Sequence, residues 1–533
     1  MTAPLSTNSA AVATHHPLAT VAARKILRAG GNAIDAAVAA LSTVCVVLPQ
    51  QCGFGGFGGS MVVQLAPTDN QAHNRPGKAI ALDFDSRAPL AFRDDLFSGD
   101  HSDKSTCGYL AVTVPAVVAG MGFALREFGT MPWAAVTENA IDLAERGFTV
   151  DAETRRQLET WFAGADPVSI RALFSNGKLP AIGELWIQKD LAAMLRILAT
   201  QGPEAFYHGE IPRRIVKQVR EHGGVLSEED FARYQPTLVE PLRIDYRGHA
   251  LFTPPPPSGG ISMLQILKTL EQFDLSKLAP WSADYFHLLV EAAKLCWADR
   301  AMCLGDPDFV KMPIEDLLSA PSAAARAAKI NRNGIGLAAE NPIDTGPHTS
   351  NVSIIDGQGN VVSITATQGN LFGSGVVIDG LGLLMGQGMS RFDFVPGHPN
   401  RPAPGKRMHH NMSPTIATKQ GRPFAAVGLP GGPKIITVTA QLLAGLIDFA
   451  ATARQAIDAP RVHTDCGEPI GISAWADDAI IARLESLGHT LERGQSIGGP
   501  PGDIAGAANV VRVDPTGPLD AASGAAPDAS AIL

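Results

Sequence analysis

The 533-residue sequence is poor in several features that would assign it to a simple functional class. Only 18% of its residues are charged and only 6% are aromatic, and no block of basic residues occurs. With 52 acidic against 43 basic residues, the formal net charge is −9, which argues against a nucleic-acid groove or a polybasic membrane surface. A hydrophobic content of 45% excludes a mainly disordered chain.

Targeting signals and long apolar runs are also missing. The start, MTAPLSTNSAAVATHHPLA, has no basic region followed by an apolar one, so no secretory signal is visible and a cytoplasmic location is expected. The apolar run 37–48 is too short to span a bilayer. The run 435–451 carries Gln441 and Asp448, which favours a buried helix. We therefore expect no association with a membrane.

Metal-binding and redox motifs are absent from the sequence. The six cysteines form no CxxC pair and show no zinc-ligand spacing, and the histidines form no cluster with the spacing of metal ligands. Free thiols in a reducing compartment are the simplest interpretation. We expect neither a metal nor an organic cofactor.

Glycine, in contrast, is abundant, with 54 residues. The first of three clusters, Gly53 to Gly58, matches the pattern GxGxxG. A dinucleotide site requires that pattern after a strand and before a helix, because the helix start holds the pyrophosphate. Here it follows a predicted helix and precedes a predicted strand. It is better interpreted as a tight connection in which backbones approach closely.

The second cluster, in the segment GLPGGPKII, sets Gly431 and Gly432 directly ahead of a predicted helix. Amide N–H groups at a helix start point outward and favour negative charge, which is what an oxyanion hole requires. Ordinary turn chemistry is the alternative explanation of such a pair.

The third cluster is the predicted turn of a β-hairpin, because the segment NVSIIDGQGNVVSITAT alternates with a period of two on both sides of it. Pairing centred on Gln358 sets Ser353 opposite Ser363, and Thr349 opposite Thr367. A bulge would slip this register by one residue. Facing threonines are also common in ordinary strands, so the pattern alone leaves their role open.

The rest of the chain gives weaker signals. The pattern is mostly helical around residues 115–335. The tail, residues 513–533, is rich in small and polar residues and is predicted to be disordered.

A series of segments, in order along the chain, resembles the γ-glutamyltransferase family of N-terminal-nucleophile hydrolases. The resemblance runs from about Ala11 to Gly467 and includes HPLATVAARKILRAGGNAIDAAVAA, LSEEDFARYQP, PPPPSGG, HTSNVSIIDGQGNVVSIT, LFGSG, PGKR, MSPT, GLPGGPKIIT and AIDAPRVH. It implies an α+β fold, a four-layer αββα sandwich with a helical region in the large chain. It also implies a precursor that cuts itself between His348 and Thr349, so that residues 1–348 and 349–533 become the large and small chains of a heterodimer.

The same resemblance implies that Thr349 is the nucleophile, that Thr367 orients its hydroxyl, and that Gly431 and Gly432 form the oxyanion hole. A threonine hydroxyl is a poor nucleophile until a base takes its proton. The α-amine of an N-terminal residue, with a pKa of about 7.7–8.0, can serve as that base. Before cleavage the same nitrogen is an amide and is not basic, so processing would also activate the enzyme.

The expected acyl pocket departs from the family pattern at two places that grip the substrate. The family has an arginine directly after LDF, where this sequence has Asp85, with Arg87 two residues further on. The family also has an asparagine two residues after the second threonine, where this sequence has Gly369, with Asn370 beside it.

Two more departures concern the substrate's α-amino group. The family residues that hold this group fall on Gly388 and Arg391, and a Ser-Ser pair of the family falls on His410 and Asn411. Arg391 would repel an ammonium and attract a carboxylate or carbonyl oxygen. We infer that the preferred acyl group lacks the α-amino acid head of glutamate. The alternative is that Arg87 and Asn370 replace the missing residues after a small loop shift.

Three functions therefore stay open. The first is a hydrolase or acyltransferase for γ-glutamyl amides such as glutathione. The second is an amidohydrolase for another acyl group, of the dicarboxylic monoamide or glutaryl type. The third, a non-catalytic scaffold, is disfavoured because both threonines and both glycines are retained. The expected partners are a small amide substrate and water or an amine as acceptor, with no nucleic acid.

Overall fold

The structure is a computed structural model that describes residues 9–67, 77–97, 101–174, 176–336, 348–494, 507–514 and 517–533. The first eight residues, which belong to the segment searched for a secretory signal, lie outside these ranges. The residues directly before His348 lie outside them as well.

The α-helices of the described residues lie mainly in the first two thirds of the chain. They are α1 (Pro17–Arg28), α2 (Ala33–Val47), α3 (His101–Thr106), α4 (Val117–Phe128), α5 (Trp133–Arg146), α6 (Ala152–Phe162), α7 (Pro167–Leu173), α8 (Lys189–Gln201), α9 (Glu210–Glu221), α10 (Glu228–Arg233), α11 (Gly260–Leu270), α12 (Ala283–Cys303), α13 (Ile314–Leu317), α14 (Ala320–Lys329), α15 (Lys434–Ile447), α16 (Ala453–Asp458) and α17 (Asp478–Ser486). None of the helices in these described ranges is long and apolar enough to cross a lipid bilayer.

The strands are distributed along the whole chain. They are β1 (Ala11–Ala13), β2 (Gly58–Gln64), β3 (Ala79–Asp83), β4 (Phe148–Thr149), β5 (Leu185–Trp186), β6 (Thr237–Val239), β7 (Leu242–Tyr246), β8 (His249–Thr253), β9 (His348–Ile355), β10 (Val361–Gly369), β11 (Val377–Ile378), β12 (Leu383–Leu384), β13 (Thr415–Lys419), β14 (Arg422–Gly428), β15 (Val462–His463), β16 (Ile470–Ile472), β17 (Leu491–Arg493), β18 (Asn509–Val513), β19 (Leu519–Ser523) and β20 (Ser530–Ile532).

Two sheets face each other at the centre of the molecule. The strand order is β20-β1-β9-β10-β2-β3-β6 in the larger sheet and β19-β18-β14-β13-β8-β7 in the smaller one. The layer between them is apolar and is built from both sheets, with Val62 and Ile355 on one side and Ile416 and Val511 on the other. Burial of such side chains stabilises the sandwich by about 1.5–3 kcal/mol per large residue.

A layer of helices covers the outer face of each sheet. Helix α2, on the larger sheet, is buried along its whole length, which explains why its sequence is apolar all round rather than amphipathic. Its start is fixed by a capping box in which Asn32 and Asp35 accept each other's backbone N–H groups. Helices α11, α12 and α15 cover the smaller sheet. The predicted αββα sandwich is therefore confirmed.

The predicted hairpin is formed by β9 and β10. Ser353 pairs with Ser363, and Asn351 pairs with Thr365, as the register centred on Gln358 requires. A β-bulge follows Ala366, beyond which the register is shifted by one residue. This one-residue shift is the alternative considered for the hairpin register, and it lies next to Thr349 and Thr367.

The prediction of a disordered tail over 513–533 is wrong for the described part of that segment. Strand β19 pairs with β18 at one edge of the smaller sheet, and β20 pairs with β1 at one edge of the larger sheet. The residues are small because they lie close to neighbouring strands, and Ala522 and Ala529 are fully buried. The low hydrophobic content of the tail is typical of disorder, but here it belongs to two edge strands.

The region around 115–335 is mostly helical, as predicted, but it also contains short strands, among them β7 and β8. These strands form a hairpin in which Tyr246 pairs with His249 across a two-residue turn. Both turn residues, Arg247 and Gly248, have positive φ angles of 48° and 77°, as a type I′ turn requires. An arginine at a position that favours glycine or asparagine explains why this turn gives a weak sequence signal.

Candidate active site

The two threonines of the hairpin lie together at the end of β9 and β10 that carries the bulge. Thr349 Oγ1 donates a hydrogen bond to Thr367 Oγ1 over 3.3 Å, and both residues are 4% exposed. The backbone N–H of Gly369 also donates to Thr367 Oγ1, over 3.0 Å. The bulge thus lets the backbone turn back on the Thr367 hydroxyl and hold it beside Thr349.

A polar cluster beneath Thr349 joins the two sheets. Asn351 Nδ2 donates to Ser363 Oγ, to the carbonyl of Ile364 and to Thr365 Oγ1, at 3.0–3.1 Å. Ser363 Oγ donates across to the carbonyl of Val427 in the smaller sheet, over 3.1 Å. Because these groups are buried and partnered, they fix the start of β9 relative to the helix that follows β14.

That helix, α15, begins after a glycine pair in the connection from β14. Gly431 and Gly432 have φ angles of 136° and 57°, which side-chain-bearing residues rarely adopt. Pro433 follows them as the N-cap. The helix start predicted from the sequence is therefore present, and Gly432 lies at the same cavity as the two threonines.

This cavity is lined by residues from both sides of the predicted cleavage point. Its lining consists of Phe57, Thr349, Thr367, Arg391, His410, Asn411, Met412, Gly432 and Ile435. Of the residues predicted for the site, the structure brings Thr349, Thr367, Gly432, Arg391, His410 and Asn411 to one cavity. Gly431 precedes this group by one residue, and His348 pairs with Gly369 at the hairpin end.

Arg391 is buried in the wall of the cavity, and Asn370 lies beside it. Arg391 Nη2 donates to Asn370 Oδ1 over 3.3 Å, and the Arg391 carbonyl accepts from Asn400 over 2.7 Å. Arg87, in contrast, does not line the cavity. Its Nη1 donates to the carbonyl of Gly405 over 3.0 Å, and about a third of its side chain is exposed.

Asp85 is separated from the cavity by His410. The two side chains are 2–3% exposed, and His410 Nε2 lies 2.6 Å from Asp85 Oδ2. His410 Nδ1 accepts the backbone N–H of Met412, so the proton of the neutral ring must be on Nε2, which donates to Asp85. With both nitrogens occupied, His410 presents no free base to Thr349.

Burial controls the protonation of this pair. It raises the pKa of Asp85 to about 7 and lowers the pKa of His410 to about 3, because both charged forms are taken out of water. His410 is therefore neutral at every pH at which the enzyme is expected to work. Asp85 changes its charge near neutral pH, and its Oδ1 is buried with no hydrogen-bond partner among the described residues.

A second carboxyl group, Asp83, lies two residues away and is paired with Arg407. Arg407 also donates to Asp306, over 2.7 Å, and the Asp306 side chain is completely buried. Burial and the neighbouring Asp85 raise the pKa of Asp83 to about 6, although Arg407 opposes this. The network fixes the loop after β3, which carries Asp85.

Sequence reasoning missed one charged residue beside the cavity, Arg300 on α12. Its Nη2 donates to the carbonyl of His410 over 2.8 Å and to Asn411 Oδ1 over 2.7 Å. The side chain is fully buried. Within the helix, the sequence CWADRAMC gives no sign that this arginine points inward, so only the fold could have revealed it.

One group of described side chains has the composition of a metal site. Ligand atoms of His287, Glu291 and His489 lie within 4.8 Å of one another, and all three residues are buried. However, the ammonium of Lys294 already lies 2.8 Å from both Glu291 and Glu468. The positive charge of Lys294 therefore already occupies the position beside Glu291 that a metal ion would need. The cysteines are all free thiols, as predicted.

Comparisons with known proteins identify the family of the chain. A model of the family described as gamma-glutamyltranspeptidase matches residues 19–531. The acylase ACY 1 proenzyme of Pseudomonas sp. (strain SE83) is 37% identical, covering 98% of this chain and 92% of the relative. The glutathione hydrolase proenzyme of Escherichia coli (strain K12) is 34% identical, covering 96% of this chain and 92% of the relative.

Solved structures give the same result. A cephalosporin acylase from Bacillus halodurans superposes with a TM-score of 0.87 at 29% identity, covering 99% of this chain and 96% of that chain. The gamma-glutamyltranspeptidase of Helicobacter pylori superposes with a TM-score of 0.55 at 34% identity, covering 59% of this chain and 90% of that chain. The chain therefore belongs to the gamma-glutamyltranspeptidase family, whose relatives named here are hydrolases and acylases.

Proposed function

We propose that this protein is a self-processing threonine amidohydrolase that removes short acyl groups ending in a carboxylate from small amides. One observation carries the proposal. The hydroxyl groups of Thr349 and Thr367 lie 3.3 Å apart in a cavity that Gly432 and Arg391 also line. A nucleophile, its orienting partner, a helix start and a cation are thus within reach of one small substrate.

The reaction begins once cleavage between His348 and Thr349 has freed the α-amine of Thr349. This amine takes the hydroxyl proton, and Thr349 Oγ1 attacks the amide carbonyl of the substrate. The backbone N–H groups of Gly431 and Gly432 stabilise the negative oxygen of the tetrahedral intermediate. Transfer of the proton to the leaving nitrogen breaks the C–N bond and leaves an ester on Thr349. Water, or an acceptor amine, then attacks this ester and releases the acyl group.

The composition of the cavity wall supports the choice of acyl group. Phe57, Met412 and Ile435 provide apolar contacts, and Arg391 provides a buried positive charge. His410 is neutral, and its nitrogens are directed at Asp85 and at the chain. Among the described residues that line the cavity, none has a carboxylate to hold a substrate ammonium. A glutaryl-type group places its carboxylate where Arg391 provides a positive charge and brings no ammonium into this site.

A γ-glutamyl group is the second candidate. Asn370 lies beside Arg391, so both side chains are placed to contact the substrate's α-carboxylate. The relatives named glutathione hydrolase also favour it. Arg87 gives this candidate no support, because its guanidinium is engaged at Gly405, away from the cavity.

Processing is tested by denaturing gel electrophoresis and N-terminal sequencing of the purified protein. We expect two fragments, the smaller of which begins at Thr349. Thr349→Ala is expected to stay one uncut chain, whereas the matched variant Thr349→Ser keeps a hydroxyl and is expected to be cut more slowly. An uncut wild-type chain would rule out the proposed mechanism.

Acyl preference is tested with three p-nitroanilides on the processed enzyme: glutaryl, γ-glutamyl and 4-carbamoylbutanoyl. The last has the shape of the first but no charge. We expect the highest kcat/KM for the glutaryl compound. A higher kcat/KM for the γ-glutamyl compound would replace our first candidate by the second, while leaving the Thr349 mechanism intact.

A further inference from the structure

Arg300 is a buried cation without a counter-ion among the residues that the structure describes. It is 2% exposed, and no carboxylate lies within ion-pair distance of its guanidinium in those residues. Its Nε and Nη1 atoms have no hydrogen-bond partner there. Burial lowers its pKa to about 9, so the guanidinium is still charged at neutral pH.

The position of this charge connects it to the acyl pocket. Nη2 of Arg300 contacts Asn411 Oδ1 at 2.7 Å, and Asn411 lines the cavity. The guanidinium therefore lies one hydrogen bond behind the cavity wall. Its charge also contributes to the low pKa values of His409 and His410, after the larger effect of their burial. The electrostatic field of Arg300 that acts on His410 therefore also acts on a substrate bound next to His410.

A buried and unpaired guanidinium is costly for folding, because burial of a charge without a partner is strongly unfavourable. Many of the other arginines have a carboxylate partner, as Arg407 has Asp83 and Asp306. A negative group that enters the cavity would give Arg300 the countercharge that the described residues do not supply. Its field adds to that of Arg391 across a protein interior in which charges are weakly screened.

We propose that Arg300 is a specificity-determining residue, which favours acyl groups with a terminal anion through its unpaired charge. This proposal rests on the proposed function, since it concerns the acyl group bound beside Thr349. Arg300 does not contact the substrate and acts on it through the electrostatic field of its guanidinium.

The test compares Arg300→Lys and Arg300→Gln, which both keep a hydrogen-bond donor and differ by one charge. For each variant, kcat and KM are measured with glutaryl and 4-carbamoylbutanoyl p-nitroanilide, and the selectivity is the ratio of the two kcat/KM values. We expect Arg300→Gln to lower this ratio by about tenfold, mainly through a higher KM for the glutaryl compound. Arg300→Lys should keep the ratio within about threefold of wild type.

The control is Arg461→Gln, which replaces another fully buried arginine, one that donates to the carbonyl of Ile457 and does not line the cavity. A purely structural role of Arg300 predicts that its variants, like this control, change both substrates by the same factor. An unchanged ratio in processed Arg300→Gln would therefore overturn the proposal.

A third variant covers the case in which neither Arg300 variant is recovered as a processed enzyme. Asn411→Ser leaves the guanidinium in place and removes only the side-chain contact, so the selectivity ratio should be kept. A collapse of the ratio would show that Asn411 itself, and not the charge behind it, selects the anion. The ratio of the two kcat/KM values can be measured even if the wild-type enzyme prefers the γ-glutamyl compound. A wrong choice of acyl group in the proposed function is therefore distinguishable from a wrong role for Arg300.

Discussion

Asp83 and Asp85 form a buried acidic group behind the cavity, next to a histidine whose low pKa keeps it neutral near neutral pH. His410 uses Nε2 to donate to Asp85 and Nδ1 to accept from Met412. An additional proton on this pair must therefore be held by the Asp85 carboxyl. As pH rises through about 7, the ring stays neutral while a negative charge develops behind it.

The first prediction at the scale of single residues concerns this charge. In the wild-type enzyme, KM for glutaryl p-nitroanilide should rise about threefold to tenfold between pH 6 and pH 8, because ionised Asp85 repels the carboxylate of the acyl group. Asp85→Asn should remove this rise, while KM for the uncharged 4-carbamoylbutanoyl compound should stay flat in both enzymes. Identical KM profiles for wild type and Asp85→Asn would contradict the prediction.

The second prediction at this scale concerns Gly428 at the end of β14. A Cβ atom at this position would collide with the carboxamide of Asn351, which cannot move away because three acceptors hold its Nδ2. Gly428→Ala should destabilise the protein by about 2–3 kcal/mol and slow self-cleavage, since Asn351 lies two residues from Thr349. Chemical unfolding and a time course on gels measure both effects.

Gly164 provides the matched control for that substitution. It has open space around its Cβ position and no positive φ angle, so Gly164→Ala should leave stability within about 0.5 kcal/mol of wild type and cleavage unchanged. Equal behaviour of the two alanine variants would show that the close approach at Gly428 is unimportant.

At the scale of secondary-structure elements, the structure separates local signals from long-range ones. The β9–β10 hairpin and the glycine-led start of α15 follow from residues close together in the sequence, and both were predicted. The edge strands β19 and β20 were not, because a strand of small residues gains its stability from neighbours that lie far away along the chain.

The contacts of the candidate site are likewise of two kinds, local ones that were predictable and long-range ones that were not. The facing of Thr349 and Thr367 depends on a hairpin and was predictable. The pairing of Asp85 with His410 and the inward direction of Arg300 depend on contacts across more than a hundred residues, which no local pattern encodes. The resemblance to a family identified Asp85 and His410 as departures without giving their contacts, and it did not identify Arg300.

A prediction at this scale concerns the tail. Deletion of residues 530–533 removes β20 from the edge of the larger sheet and should lower the midpoint of thermal unfolding by several degrees while the enzyme is still processed. Deletion of everything after Asp514 also removes β19 and the hydrogen bond from Ser523 Oγ to the carbonyl of Thr14, and should prevent accumulation of folded protein. A fully stable, active enzyme that lacks both strands would restore the original interpretation of the tail.

At the scale of the whole molecule, the predicted large and small chains are interleaved. Strand β1 of the large chain lies between β9 and β20 of the small chain, and β10 of the small chain lies next to β2 of the large one. The ion pair of Lys294 with Glu468 joins them again on the far side of the smaller sheet. Cleavage of one peptide bond would therefore leave the two chains firmly associated.

The corresponding prediction concerns Glu468. Burial raises its pKa, but hydrogen bonds from His489 and Lys294 outweigh burial and lower the pKa to about 2, below its usual value of 4.5. A lowered carboxyl pKa stabilises the fold above pH 4.5, and this contribution is lost as pH falls from about 4.5 towards 2. Glu468→Gln should lower the thermal midpoint at pH 7 and flatten its decrease over this acid range.

Glu240 is the control for Glu468, because it forms an exposed ion pair with Lys78 that contributes little. At each pH from 7 to 3, Glu240→Gln should have nearly the same thermal midpoint as the wild type, as measured by circular dichroism. A Glu468→Gln variant that follows the wild-type curve at every pH would show that the ion pair does not hold the chains together.

The pairing of the two ends of the described chain has a consequence for how the nucleophile is made. Ala10 and Leu533 exchange two backbone hydrogen bonds, at 3.2 and 2.8 Å, so a short turn could join them. A rearranged gene could then start at Thr349, run to Leu533, pass through that turn and finish with residues 10–348. Removal of the initiator methionine would give Thr349 a free amine from the outset. Such a permuted enzyme should hydrolyse substrate as one uncut chain, which would separate the chemistry of acyl transfer from the proposed self-cleavage.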